Sequence, residues 1–175
     1  MENRRLGSRR IYQGRIINLR LDRVRLPDGR RTQREIVEHP GAAVIVPIGE
    51  DGSLYMVRQY RDAAGEELLE MPAGKLQPGE EPGHCARREL REELGLIAGS
   101  LVHLASFYSS PGFCDELLHV YLAEGLSREE EQTDREEFLT PEVRSLEDAG
   151  ALLAELRDAK SIAGLLLALE HRRRD

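Results

Sequence analysis

The sequence predicts a mixed α/β sandwich preceded by a small antiparallel β-region. Three observations point there. Short alternating or wholly apolar runs, split by Pro and Gly turns, fill residues 11–60. One amphipathic segment between Pro82 and Gly95 has helical spacing. The last part of the chain returns to helical periodicity with clustered leucines. Strands around a central helix, closed by a C-terminal helix, need helix-on-sheet layers to bury their apolar sides.

The elements follow in order. Residues 16–26 alternate through Ile17, Leu19, Leu21, Val24 and Leu26, and residues 32–39 return with Ile36 and Val37 at their centre. Between them Pro27, Asp28 and Gly29 make a turn, because Pro presets φ and Gly accepts a positive one. This meander is too thin to bury both faces alone, so it is expected to pack on the main domain or on a second subunit. Arg4, Arg5, Arg9 and Arg10, and Arg172 to Arg174 at the other end, read as solubilising tails. Pro40 and Gly41 mark the boundary between a β-region at 1–40 and a main domain at 41–175. The apolar run 42–48 suits a buried strand, Glu50, Asp51 and Gly52 turn the chain, and residues 53–60 pair back. A polar link carrying Arg58, Arg61 and Glu70 leads to Met71, Pro72 and Ala73.

Pro82 suits a first helical turn and Gly95 a left-handed helix end, with Ala86, Leu90 and Leu94 on the face to bury. Residues 101–108 and 116–123 read as strands around a loop at 109–115. Residues 127–137 are acidic and weakly apolar, a loop by composition. Residues 138–146 suit a strand with Pro141 at an edge. Residues 148–156 are helical with Ala151, Leu152 and Leu156 inward, and Ser161 is the expected cap of a last helix at 162–170. Leu165, Leu166, Leu167 and Leu169 are too many for one stripe and read as core and subunit packing.

Composition narrows the function. The chain has 175 residues, 40% hydrophobic and 33% charged, and a net charge of −7. That acidity argues against binding a nucleic-acid backbone as the main task. No apolar run approaches a membrane span, and the Arg-rich start has no apolar stretch of a secretory signal behind it. Cys85 and Cys114 have neither metal-type spacing nor the number for a disulfide framework, which fits a reduced cytoplasm.

The chemistry-bearing stretch is 74–96, GKLQPGEEPGHCARRELREELGL. Glu89 and Glu93 are i,i+4 with Glu92 between, so three carboxylates project from one edge of the helix. Cations must offset their repulsion. Arg87, Arg88 and Arg91 are one source, on a merely solvated helix; a hard dication that favours carboxylate oxygens is another. Gly74, Glu80, Arg88, Glu89, Leu90, Glu92, Glu93, Gly95 and Leu96 fill every specified position of the pattern G-x5-E-x7-R-E-U-x-E-E-x-G-U, with U a bulky aliphatic. The stretch thus resembles the Nudix box. The resemblance implies an α/β/α sandwich with a mixed sheet, and an enzyme that hydrolyses a nucleoside diphosphate linked to another moiety with a divalent metal. Mg2+ is the expected ion and Mn2+ the alternative. Glu89 and Glu93 are then bridging metal ligands with Glu92 beside them, and the Ala73 carbonyl is a further ligand. Glu80 and Arg88 are expected to join loop and helix as an ion pair.

Features outside the box resemble the ADP-ribose pyrophosphatase branch: EIVEH at 35–39, VRQYR at 57–61, LEMPAG at 69–74, SPGFCDE at 110–116, and the acidic loop near residue 137. In that branch homodimers exchange N-terminal strands and each site borrows partner residues. Carried over, Arg34 and Glu35 reach an adenine, Arg61 with Glu70 beside it serves the diphosphate or terminal ribose, and Ser110 and Glu116 lie near the ribose phosphate. The branch carries Glu-x-Glu in the acidic loop as general base or metal ligand. Here Arg135 stands at the first Glu and Glu137 keeps the second, so the base is assigned to Glu137 and next to Glu136. The implied products are AMP and ribose 5-phosphate. Another nucleotide sugar such as GDP-mannose is the alternative substrate. A sensor that binds ADP-ribose without turnover fits an intact box poorly.

Overall fold

The computed structural model describes residues 2–129 and 138–174. The chain divides into two compact units, Met1–Gly41 with Tyr108–Leu117, and Ala42–Phe107 with Leu118–Asp175.

In the first unit β1 (Arg4–Gln13), β2 (Asn18–Arg25) and β3 (Arg31–Glu38) form an antiparallel sheet in the order β1-β2-β3. The N-terminal arginines, expected in a tail, are strand residues. Cross-strand carboxylates account for this: Arg10 pairs with Glu38 at 3.1 Å and Arg5 with Asp22 at 3.9 Å. The meander leaves Leu6, Ile11, Tyr12, Ile16 and Ile17 exposed within this chain, as its thinness predicts. The segment 108–117 joins it by main-chain bonds that its loop-like composition did not announce. The Val37 N–H donates to the Phe113 carbonyl at 2.8 Å, and the Asp115 N–H donates to the Val37 carbonyl at 3.1 Å.

The second unit holds β4 (Ala42–Pro47), β5 (Ser53–Arg61), β6 (Glu66–Glu70), β7 (Ala73–Lys75), α1 (Pro82–Leu94), most of β8 (Leu96–Tyr108) and β9 (Leu117–Arg128), β10 (Leu139–Ser145), α2 (Ala149–Glu155) and α3 (Ala159–Arg172). One sheet runs β7-β4-β9-β8 and is mixed, with β4 parallel to β9 and antiparallel to β7. A second runs β10-β5-β6, which puts Pro141 on an edge strand as expected. Alternation along β4 builds both faces. Val44 and Val46 enter a core shared with Leu165 and Ala168 of α3, while Ala43 and Ile45 meet Ala86 and Leu90 of α1. Both faces are covered by helices, which explains a strand with no exposed residue.

Three expectations are corrected here. The polar link after β5 is largely strand β6, because a tight turn closed by the Ala64 and Gly65 N–H groups on the Arg61 carbonyl folds it back as a hairpin. In α2 it is Ala149, not the exposed Ala151, that points inward with Leu152. The cap of α3 is Asp158, whose carboxylate accepts from the Ser161 N–H; Ser161 lies one turn inside and is buried. In α3 Leu165 is buried and Leu166 exposed, so only part of the leucine cluster is core. Helix α1 ends as its sequence predicts. Gly95 adopts φ 65° and its N–H satisfies the carbonyls of Arg91 and Leu90.

Candidate active site

Helix α1 starts on Pro82 and buries Cys85, Ala86, Leu90 and Leu94. That burial fixes the rotation of the helix and sets Glu89, Glu92 and Glu93 along one rim. Glu93 is 8% exposed as a residue, while the side chains of Glu89 and Glu92 are 13% and 45% exposed. The deepest carboxylate therefore adjoins one nearly as covered and one open to solvent.

The loop before α1 is tied to this rim by Arg88. Its guanidinium donates Nε to Glu80 Oε1 at 2.9 Å and Nη2 to Glu80 Oε2 at 3.0 Å. Its Nη1 reaches Glu89 at 2.6 Å and Glu92 at 3.0 Å. Glu80 in turn accepts the Gln77 N–H at 2.8 Å, closing the loop. Arg88 holds the Glu80 carboxyl down to about 2, and the carboxylates around Arg88 raise its own value. The Cys85 thiol lies behind the rim near the Gly74 and Lys75 carbonyls at 3.5 Å, and burial pushes it up to about 12, so it is no nucleophile.

Gly74 stands directly against the rim. A Cβ there would lie 1.8 Å from both Cδ and Oε1 of Glu89. The missing side chain thus makes the cradle in which the Glu89 carboxylate rests on the backbone of β7. Ala73 precedes it, and β7 is held by pairing of Ala73 with Val44.

Arg61 and Glu70 form a separate cluster. Glu70 is 2% exposed, and it accepts Arg61 Nε at 2.8 Å, Arg61 Nη2 at 2.5 Å and Lys160 Nζ at 2.5 Å. Burial pushes the Glu70 carboxyl up, but the two cations overcome it and the net shift is downward, so Glu70 is ionised. The Arg61 side chain stays 40% exposed. Arg58 instead pairs with Glu142, and with Glu155 at 3.4 Å.

Arg34, Glu35, Ser110 and Glu116 belong to the first unit. Arg34 and Glu35 are exposed on β3. Ser110 opens the 108–117 turn, its carbonyl accepting the Phe113 and Cys114 N–H groups. Glu116 lies 3.3 Å from His39 Nδ1. That nitrogen also accepts the Gly41 N–H at 3.1 Å. Glu136 and Glu137 lie outside the described residues. Sequence reasoning missed Lys160 and Asp158. The only signal was an acidic residue three positions before Ser161 at a helix start, and Glu70, the partner of Lys160, is far away in sequence.

A sandwich with an acid-rimmed helix behind a glycine cradle defines a class, and comparison with known proteins agrees. Residues 37–165 match the NUDIX domain, and residues 4–37 match the nucleoside diphosphate sugar hydrolase N-terminal domain. The chain belongs to the Nudix family. It is 42% identical over 165 residues to the ADP-ribose pyrophosphatase of Bacillus subtilis (strain 168), covering 92% of this chain and 89% of that one. It is 39% identical over the same length to the methanol dehydrogenase activator of Bacillus methanolicus, with the same coverage. Its fold matches that of an ADP compounds hydrolase at TM-score 0.87 and 24% identity, over 99% of this chain and 96% of the other.

Nudix hydrolases work with a divalent metal. Among the described residues no three His, Cys, Asp or Glu side chains already converge as a finished cage. The donors nonetheless fit a hard cation: the rim offers only carboxylate oxygens, one of them on the buried Glu93, and Gly74 brings Glu89 onto the backbone beside Ala73. Among the described residues no helix is long and apolar enough to cross a membrane.

Proposed function

We propose that this chain hydrolyses the diphosphate of ADP-ribose to AMP and ribose 5-phosphate. Similarity to a pyrophosphatase of that specificity along both the β-region and the box carries this reading. The complete acidic rim on α1 supplies the chemistry.

Glu89, Glu92 and Glu93, with the Ala73 carbonyl, would hold Mg2+, or Mn2+ in its place. When bound, the ions neutralise the diphosphate and acidify the attacking water. The remaining steps fall to the protein. Glu93, buried and on a fixed helix, orients its donor oxygen with little reorganisation on substrate binding. Arg88 shields the rim carboxylates from one another and holds Glu80 and the loop in place. Arg61 grips the diphosphate or the terminal ribose. Arg34 and Glu35 contact the adenine, and Ser110 and Glu116 contact the ribose phosphate. Glu137, then Glu136, is the assigned base.

The active form is a homodimer built by exchange of the 1–40 region. The exposed Leu6, Ile11 and Tyr12 of β1 and Ile16 and Ile17 of the turn after it support this, because exposed apolar side chains gathered in one hairpin favour a covering partner. Light scattering on the purified protein checks it; a monomeric mass at micromolar concentration removes the partner-borrowed roles of Arg34 and Glu35.

The test of function is incubation with Mg2+ and a panel of ADP-ribose, GDP-mannose, NADH and diadenosine compounds, with products identified by chromatography. Preferred release of AMP and ribose 5-phosphate is expected. Turnover of GDP-mannose far above ADP-ribose would transfer the specificity to that sugar nucleotide.

A further inference from the structure

We infer that Lys160, at the start of α3, is a positioning residue for the substrate diphosphate: it shares the buried Glu70 carboxylate with Arg61 and so sets where the Arg61 guanidinium points. The inference rests on the role of Arg61 proposed above and extends it to a residue outside every motif that carries the family resemblance.

The geometry is specific. Lys160 Nζ donates to Glu70 Oε2 at 2.5 Å and to Asp158 Oδ2 at 2.7 Å. Arg61 takes both oxygens of the same carboxylate, Nε to Oε1 and Nη2 to Oε2, so Oε2 is shared with Lys160. The Lys160 side chain is 15% exposed and Glu70 is 2% exposed, whereas Arg61 remains 40% exposed. The ammonium is therefore the inner partner and the guanidinium the outer one.

The start of α3 is itself fixed. Asp158 accepts from the Ser161 N–H at 3.1 Å and from its hydroxyl at 2.6 Å. The Ser161 hydroxyl accepts the Met71 N–H at 2.7 Å. One helix turn thus clamps both the side chain of Glu70 and the backbone of its neighbour. Glu70 and Asp158 are two carboxylates against two cations, Lys160 and Arg61. Without Lys160 both negative charges would act on Arg61 alone and draw its guanidinium further into the cluster. With Lys160 in place, Arg61 is held in direction by a two-point fork and keeps attraction for a second anion. Lys160 touches no substrate in this account and acts through Glu70 and Arg61.

The experiment compares wild type, Lys160→Gln and Lys160→Arg in steady state with Mg2+ on whichever diphosphate of the panel wild type turns over best. Lys160→Gln is expected to raise KM by about tenfold with kcat within about threefold, and Lys160→Arg to restore most of that loss. A folded Lys160→Gln with wild-type KM overturns the inference, as does a fall in kcat with KM unmoved. If Lys160→Gln does not fold, Lys160→Met combined with Glu70→Gln removes the buried charge and its partner together, and the same rise in KM is expected; wild-type KM in that pair overturns the inference. Wild-type preference for a nucleotide sugar other than ADP-ribose sinks the ADP-ribose reading alone, since Lys160→Gln still decides on that substrate. No turnover of any diphosphate sinks both.

Discussion

Arg88 and Glu80 meet at two points, Nε to Oε1 at 2.9 Å and Nη2 to Oε2 at 3.0 Å, so loop and helix are joined by a fork and not by a single contact. The third arm of the same guanidinium reaches Glu89 and Glu92. One residue therefore sets the loop and offsets repulsion along the rim. The choice put by the sequence between cationic side chains and a dication is not exclusive: Arg88 already serves Glu89 and Glu92, and the metal proposed for the rim would add to it.

The fork makes an acid-stability prediction. Glu80 is depressed from its ordinary 4.5 to about 2, chiefly by Arg88. A depressed carboxylate contributes stability that is present above the unfolded value and lost as pH falls through the folded one. The contribution is thus full above pH 4.5 and gone near pH 2. Glu80→Gln is expected to be less stable than wild type by about 1–2 kcal/mol at about pH 6, with the gap closing toward about pH 2. Glu70, Glu142 and Asp158 are depressed as well, so wild type is acid-sensitive through several groups. Only the difference between wild type and variant isolates Glu80. Urea unfolding across this range measures it, and a gap that is constant with pH refutes the linkage.

Glu93→Gln tests the rim. The residue is buried, and the substitution keeps its volume while removing its charge. The expected result is a melting temperature close to that of wild type, because the substitution conserves the side chain's shape and volume. Turnover should fall by roughly two orders of magnitude or more at saturating Mg2+. Near-normal kcat in a folded Glu93→Gln would remove Glu93 from the proposed metal ligands.

The sequence showed the site in proportion to how local each interaction is. Glu80, Arg88, Glu89, Glu92 and Glu93 share one loop–helix segment, where spacing alone dictates neighbours, and the Glu80–Arg88 pair was expected before it was seen. Gly95 and Pro82 were legible for the same reason. Long-range partners were not. Nothing near Glu70 announces Lys160, and Ser161 looked like a cap because its role as acceptor for the Met71 N–H depends on a strand end far away in sequence. The N-terminal arginines misled in another way. Their charge suggested a solvated tail, but β1 pairs along β2, and Asp22 on β2 and Glu38 on β3 supply countercharge to Arg5 and Arg10. The loop at 108–117 hid its attachment to β3 because main-chain hydrogen bonds leave no trace in side-chain type.

Gly74→Ala probes the cradle. An added Cβ falls 1.8 Å from Glu89 Cδ and Oε1, too close for any real contact, so the Glu89 side chain must move. Moving a flexible side chain costs little stability, yet it displaces a proposed ligand from the backbone it rests on. The expected outcome is a fold close to wild type with an apparent Mg2+ requirement raised by roughly tenfold or more, read from activity against Mg2+ concentration and from Mn2+ binding by electron paramagnetic resonance. Unaltered Mn2+ binding would place the ion away from Glu89.

Ser161→Ala separates a helix cap from a structural acceptor. Were Ser161 only a cap, its loss would fray the start of α3 at a cost of about 1 kcal/mol. In the structure its hydroxyl is wholly buried, donates to Asp158 at 2.6 Å and accepts the Met71 N–H at 2.7 Å. Removing it strands a buried N–H and one acceptor site on a carboxylate, which costs roughly 1–3 kcal/mol for each group left unpaired. A loss of about 2–4 kcal/mol is expected, or roughly 4–16 °C in melting temperature for a chain of this size. Hydrogen exchange gives the second reading: the Met71 amide should lose protection in Ser161→Ala while the amides in the middle of α3 keep theirs. Fraying confined to α3, with Met71 still protected, would return Ser161 to the role of a cap and detach the start of α3 from the segment that carries Glu70.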